Sequence, residues 1–363
     1  MRASDAVRPL LRTTAAFAAV ALAVWGLAWL LAVPSWSWRL YRAPLGETLG
    51  HRLAGKLSLC RSQGPRGALL LGASSVREGF DAALLDRLQP GWRFFNAGLA
   101  AGSTDTLAVA GLMLRKSGAR PGLLVLGLHP FMLRRMDQEL VARGYSDFFD
   151  LFDGAEVLRY QKPGEGAEAA RRELRLNTLW PPRRHARQLG RRLRAALEQA
   201  HRAGYWGARL PEADFQVAGP DTRPMAEYRF EQTGEGLEPM IARWQNMGFL
   251  DPRAYDDPDR AAALDALLDD FATRCGRLVL VVMPEHAYLR ARDPLFHGER
   301  FRQCLERARA RGARVLDYAA EAPDGEFLDL AHLGAAGRER LTRAFAADLG
   351  RLLAAPPSSG GEP

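Results

Sequence analysis

The sequence predicts an α/β protein with a three-layer α/β/α arrangement around a mostly parallel sheet of about five strands. Three observations carry this. Short apolar runs bounded by Gly or Pro recur along the chain, and their apolarity is continuous rather than alternating, as in strands buried on both faces. Helix-period stretches lie between them, giving a β-α-β-α series. The 363 residues, 47% hydrophobic and 25% charged, suffice for a large core without disulfide or metal staples, and exclude wholesale disorder.

The first element is not part of that series. No charged side chain occurs between Arg12 and Arg39, and Thr13 to Val33 is almost wholly apolar. At 1.5 Å rise per residue this is roughly one bilayer crossing. Arg2, Arg8 and Arg12 precede it against a single Asp5, so the positive-inside rule places the N-terminus in the cytoplasm. Trp36, Trp38 and Tyr41 come next as an aromatic belt. A cleaved secretory signal is the alternative, but Leu31-Ala32-Val33-Pro34 lacks the usual small-residue cleavage site. Either reading exports the remainder of the chain. An uncleaved anchor gives residues 1–40 as cytoplasmic N-terminus and transmembrane helix, 41–66 as juxtamembrane linker, and a periplasmic or extracytoplasmic domain held at the inner membrane.

The expected strands are Ala68–Gly72, Arg93–Gly98, Leu123–Gly127, Leu278–Met283 and Val315–Asp317. The expected helices are Phe80–Leu88, Thr104–Lys116, Pro258–Arg274, Gly298–Arg311 and Ala335–Leu353. An insertion interrupts the series at about 131–257, within a domain spanning 67–353. Arg171 to Arg202 of the insertion is rich in Arg with interspersed Leu, and Pro181-Pro182 splits it into two amphipathic helices. It reads as either a solvated basic face or a binder of anionic lipid or polymer. The net charge of +8 and pI near 9.8 allow those partners; an exported location excludes nucleic acid. The tail 354–363 reads as disordered. Cys60, Cys275 and Cys304 have no metal-ligand spacing, so no metal or cofactor is indicated; at most Cys275 and Cys304 pair, and three free thiols are the alternative.

Two motifs carry chemistry. Gly72-Ala73-Ser74-Ser75 follows the first strand and opens a helix, so Ser74 lies at the sheet's C-terminal edge with backbone N–H groups pointing to any oxyanion formed there. A simple helix N-cap is the plainer explanation of that Ser. Near the other end, Asp329-Leu330-Ala331-His332 lies on a loop entering the last helix, where Asp329 can orient His332 as the base for Ser74. His286 ends the fourth strand and can contact substrate or compete as base, or it is a plain surface His. Ser75 is a further candidate substrate contact.

These motifs resemble the SGNH (GDSL-type) hydrolase and acyltransferase superfamily, with its flavodoxin-like three-layer fold. Gly72-Ala73-Ser74-Ser75-Val76-Arg77-Glu78-Gly79 is similar to the first block, with Ser74 as nucleophile. Asn96-Ala97-Gly98-Leu99-Ala100-Ala101-Gly102 is similar to the second, with its last Gly displaced by one position. The resemblance implies an oxyanion or substrate role for Asn96 and an oxyanion N–H from Ala101 or Gly102, beside that of Ser74. Asp329 and His332 match the fifth block. Two departures stand out. Ala73 replaces the usual Asp, and the third block reads Gly127-Leu128-His129-Pro130, without its Asn oxyanion donor. His129 can donate instead, or it merely ends a strand.

Anchor, insertion and missing Asn together look like the membrane-anchored branch, which includes DltD-like D-alanyl transfer proteins and periplasmic acetyltransferase-like proteins of alginate and cellulose acetylation. That resemblance implies a serine-dependent O-acyltransferase or esterase acting on a cell-surface polysaccharide or related polymer, partnered by a membrane-bound O-acyltransferase. A non-catalytic polymer-binding or scaffold protein is the alternative.

Overall fold

The computed structural model describes residues 15–27, 49–99, 102–133, 237–246, 248–251, 258–291 and 298–354. The chain divides into two compact units, Met1–Glu47 with Tyr145–Phe215, and Thr48–Gly144 with Gln216–Pro363. In the first unit the described residues 15–27 form a helix on which Phe17, Val20, Leu22 and Val24 are exposed. Among the described residues no helix is long and apolar enough to cross a membrane. The helix 15–27 is part of the apolar run Thr13–Val33, whose two ends lie outside the described residues, as does the Arg-rich stretch 171–202.

The second unit is built on five parallel strands in the order β2-β1-β3-β4-β5, the doubly wound order in which connections reverse direction between β1 and β3. They are β1 (Gly67–Gly72), β2 (Arg93–Gly98), β3 (Leu123–Leu128), β4 (Arg277–Val282) and β5 (Arg314–Asp317), each within a residue or so of its expected position. β1 and β3 are buried along their whole length, the physical basis of their unbroken apolar sequences.

Helices cover both faces. On one lie α1 (Leu49–Gln63), α4 (Thr104–Ser117), α6 (Pro258–Ala272) and α8 (Glu299–Ala310). On the other lie α2 (Ser74–Gly79), α3 (Ala82–Leu88) and α9 (Ala335–Ala354), whose Val76, Leu85, Leu341 and Phe345 pack on Ala68, Leu70, Val125 and Val281. Among the described residues the unit also has two short helices, α5 (Leu237–Asn246) and α7 (Ala287–Arg290).

Helix starts follow local chemistry. Asp81 caps α3 by accepting from Leu84 N–H at 3.0 Å. Ser103 and Thr106 form a reciprocal capping box at the start of α4. The stretch 41–66, read as a linker, is corrected over its second half: Leu53, Leu57 and Cys60 of α1 are buried against the sheet, at the i, i+4, i+7 spacing of a helical stripe. The end of the insertion likewise belongs to this unit. Trp244 of α5 is buried with Leu289, Leu330 and Ala331.

Candidate active site

The register places Gly98, Gly72 and Gly127 side by side at the C-terminal ends of β2, β1 and β3. This glycine row is what lets α2 seat on the edge of the sheet. A Cβ on Gly72 would stand 2.4 Å from Val76 Cγ2, one on Gly127 2.1 Å from the same atom, and one on Gly98 2.4 Å from the Arg77 nitrogen. Gly72 also has φ +154°, a conformation L side chains rarely adopt. Gly102 presses on the turn from the far side, since its Cβ would fall 2.4 Å from Ala73 Cα. Ser74 therefore opens its helix on a turn fixed from three strands, at the point where the strand order reverses and such folds bind ligands.

The partner loop is equally constrained. Phe327 and Leu333 form an antiparallel bridge, Leu328 N–H donates to His332 O at 2.8 Å, and Gly334 N–H donates to Glu326 O at 2.8 Å. Inside this tight loop Asp329 Oδ1 accepts from the N–H groups of Ala331 and His332, both at 2.8 Å. Asp329 Oδ2 lies 2.7 Å from His332 Nδ1, and His332 Nε2 lies 2.7 Å from Ser74 Oγ. Burial by itself pushes the Asp329 carboxyl up, but the charge and hydrogen bond of His332 and the two backbone N–H groups outweigh it and hold the carboxyl below its ordinary value. An ionised Asp329 accepts the hydrogen bond of Nδ1–H, which leaves Nε2 as the acceptor for the Ser74 hydroxyl. Ser74 and His332 are half-buried, open to a reactant, while Asp329 is buried. The structure thus brings Ser74, His332 and Asp329 together in the arrangement of nucleophile, base and orienting carboxylate.

The other candidates have different surroundings. Asn96 is buried, and its amide nitrogen faces the main-chain oxygens of Val76 (3.1 Å), Arg77 (3.1 Å) and Phe80 (2.9 Å), while its Oδ1 accepts from Gly98 N–H at 3.1 Å. It therefore ties the end of α2 to β2, a bracing role in place of the expected contact with an oxyanion. His129 is buried; its Nδ1 accepts from Phe131 N–H at 3.3 Å, and its Nε2 lies 3.5 Å from Glu285 Oε1, so the ring faces the buried Glu285. His286 accepts from Tyr288 N–H at 3.1 Å, faces Asp324 at 3.8 Å, and donates its backbone N–H to Leu330 O at 3.2 Å. These contacts make it a brace of the loop carrying Asp329, and the imidazole facing Ser74 is that of His332. Ser75 Oγ is buried beside Ser74 without a hydrogen-bond partner among the described residues. Gly102 adjoins the nucleophile turn; Ala101 lies outside the described residues.

Two contributors have no sequence motif. Glu78 of α2 is buried and receives Arg77 Nε at 2.6 Å and Arg338 Nη2 at 2.9 Å, while Arg338 Nε donates to its main-chain oxygen at 2.6 Å. This locks α2 to α9. The Lys56 ammonium donates to the Asn96 carbonyl, joining α1 to the same strand end. Around the loop, Phe131 stacks on His129 and on Trp244 and Phe249, forming an apolar wall against Leu330 and Ala331.

Among the described residues, no group of three His, Cys, Asp or Glu side chains is placed to hold a metal ion. The three thiols are free, with Cys60 and Cys304 buried. Comparison with protein-family models finds none that matches this chain, and comparison with curated proteins finds no match.

Proposed function

We propose that the protein is a membrane-anchored, extracytoplasmic serine acyltransferase or esterase of the SGNH type, acting on a cell-surface polysaccharide or related polymer through an acyl-Ser74 intermediate. The observation that carries this reading is the hydrogen-bonded chain from Asp329 through His332 to Ser74. In the proposed reaction Ser74 Oγ attacks the acyl carbonyl carbon as its proton passes to His332 Nε2. The oxyanion is met by the backbone N–H groups of Ser74 and Gly102, without the side-chain donor that the superfamily places on its third block. The tetrahedral adduct collapses, the imidazolium gives its proton to the leaving alcohol or thiol, and the acyl group stays on Ser74. An acceptor hydroxyl, or water, then gives its proton to His332 and takes the acyl group, and His332 returns that proton to the departing Ser74 Oγ. The apolar run at Thr13–Val33 supports membrane attachment, and with it a membrane-bound O-acyltransferase as partner.

One observation favours the non-catalytic, polymer-binding alternative: His129, standing where the superfamily has its Asn donor, is buried beside Glu285 with its Nδ1 held by Phe131 N–H. Losing one such donor costs about 2.7–4 kcal/mol of transition-state stabilisation. A serine-directed fluorophosphonate separates the readings. Catalysis predicts an adduct on Ser74 in the wild type and none in Ser74→Ala; an unlabelled wild type, or equal labelling of Ser74→Ala on another serine, excludes it.

A further inference from the structure

We propose that the edge of the sheet opposite Ser74 carries a second ligand site, for a small amphiphilic anion with a carboxylate or phosphate-ester head and a short apolar tail. A cavity of about 360 Å³ lies where β3, β4 and β5 begin, walled by the ends of α6 and α8 on one side and of α9 on the other. That volume falls within the range of about 300–1,000 Å³ usual for small-molecule sites. The strands are parallel, so this edge lies about 20 Å, one strand length, from the edge that carries the Ser74 turn. The inference is independent of any chemistry at Ser74.

The head-group preference comes from two arginines. Arg314 is in register with Val279, and Arg277 precedes Val279 by two residues, so the two side chains leave adjacent strands on the same face. Both are exposed and line the cavity. Neither has a carboxylate partner among the described residues, whereas the third arginine of the lining, Arg311, is paired with Asp269 at 3.2 Å. The two positions are diagonal neighbours on that face, about 7–8 Å apart and within reach of long side chains. Two neighbouring guanidinium forks offer a set of donors matched to a carboxylate or phosphate.

The tail preference comes from the face the arginines share. Val279 and Leu349 belong to one core cluster, and Leu352 and Leu353 of the last turns of α9 pack half-buried against it and line the same cavity. Charge therefore sits at the mouth and leucine beneath it. The one thiol in the lining, Cys275, donates to Phe271 O at 3.2 Å, and burial pushes it up to about 11, so the site holds a ligand without a nucleophile to attack it.

The test is calorimetric titration of the full chain with hexyl phosphate, hexanoate, inorganic phosphate and hexanol, whose chains are short enough to remain monomeric in water. Saturable binding of hexyl phosphate or hexanoate is expected, at least tenfold tighter than inorganic phosphate or hexanol. The tighter of the two identifies the head group. Arg277→Gln with Arg314→Gln should weaken it at least tenfold while leaving the thermal midpoint in place. Leu352→Asn should weaken the hexyl ligands and leave inorganic phosphate unchanged. Absence of saturable binding, equal binding of inorganic phosphate or hexanol, or binding indifferent to the paired arginine substitutions would overturn the proposal.

Discussion

Replacing Asn96 with alanine distinguishes a residue that stabilises a reacting oxyanion from one that holds the nucleophile helix in place. Its amide faces three main-chain oxygens at the end of α2, of which Val76 O has a second donor in Phe80 N–H at 3.2 Å. The substitution therefore deprives Arg77 O and Phe80 O of a donor and Gly98 N–H of its side-chain acceptor. At about 1 kcal/mol for each lost interaction, the loss is about 3 kcal/mol. For a unit of this size that is a fall in thermal midpoint of about 6–12 °C. The assay pairs a thermal melt with the rate of fluorophosphonate labelling at Ser74, both read on the full chain. Stability and labelling should fall together, and Asn96→Asp should fail to restore either, because a carboxylate repels the same carbonyl oxygens. A variant that melts with the wild type and loses only labelling would refute the bracing role and return Asn96 to the oxyanion.

Asp329→Asn should slow Ser74 labelling by about three to four orders of magnitude, since an amide no longer fixes the His332 tautomer. Because the folded Asp329 carboxyl lies below its ordinary value near 3.9, its ionised form contributes stability that is complete above that value and lost as the pH falls through the folded one. The stability gap between wild type and Asp329→Asn should accordingly narrow below about pH 4, and a gap constant down to pH 2 would contradict this. Burial pushes Cys60 up to about 12 and Cys275 and Cys304 up to about 11. At pH 8 a thiol raised by two units has about a hundredfold less thiolate, so iodoacetamide should modify the folded protein at least that much more slowly than the denatured chain, as followed by mass spectrometry. Rapid modification of Cys275 in the folded protein would contradict it.

The strands were legible because a doubly wound sheet buries both faces of its strands. Leu69-Leu70-Leu71 and Leu123 to Leu126 have no polar position to disguise them, and glycine ends each run. The Ser74, Asp329 and His332 geometry was legible for a related reason. Each residue lies beside an element boundary that glycine or a helix start announces, and parallel strands deliver such boundaries to one edge. Asn96 was placed at the right edge, but its bracing contacts were not legible. Its partners are carbonyls of residues 16 to 20 positions earlier, and main-chain groups leave no trace in residue identity. The stripe of Leu53, Leu57 and Cys60 was present in the sequence, but His, Lys and Arg around it and the apolar run before it made the stretch read as a tether. The contact of Arg338 with Glu78 spans 260 residues, and no local pattern in a chain this rich in arginine marks one guanidinium from another.

The hydrogen bond from Ser74 to His332 also joins residues 258 positions apart. A chain is synthesised from its N-terminus, so the Ser74 turn emerges early and His332 almost last. Asp329 and His332 form their own pair within one short loop, which follows β3, β4 and β5 along the chain. During that interval the serine is an ordinary hydroxyl, no more nucleophilic than any other on the chain. The contact at Ser74 therefore joins the first strand of the second unit to the loop before its last helix, and a molecule that ends before Asp329 keeps Ser74 without the imidazole that faces it.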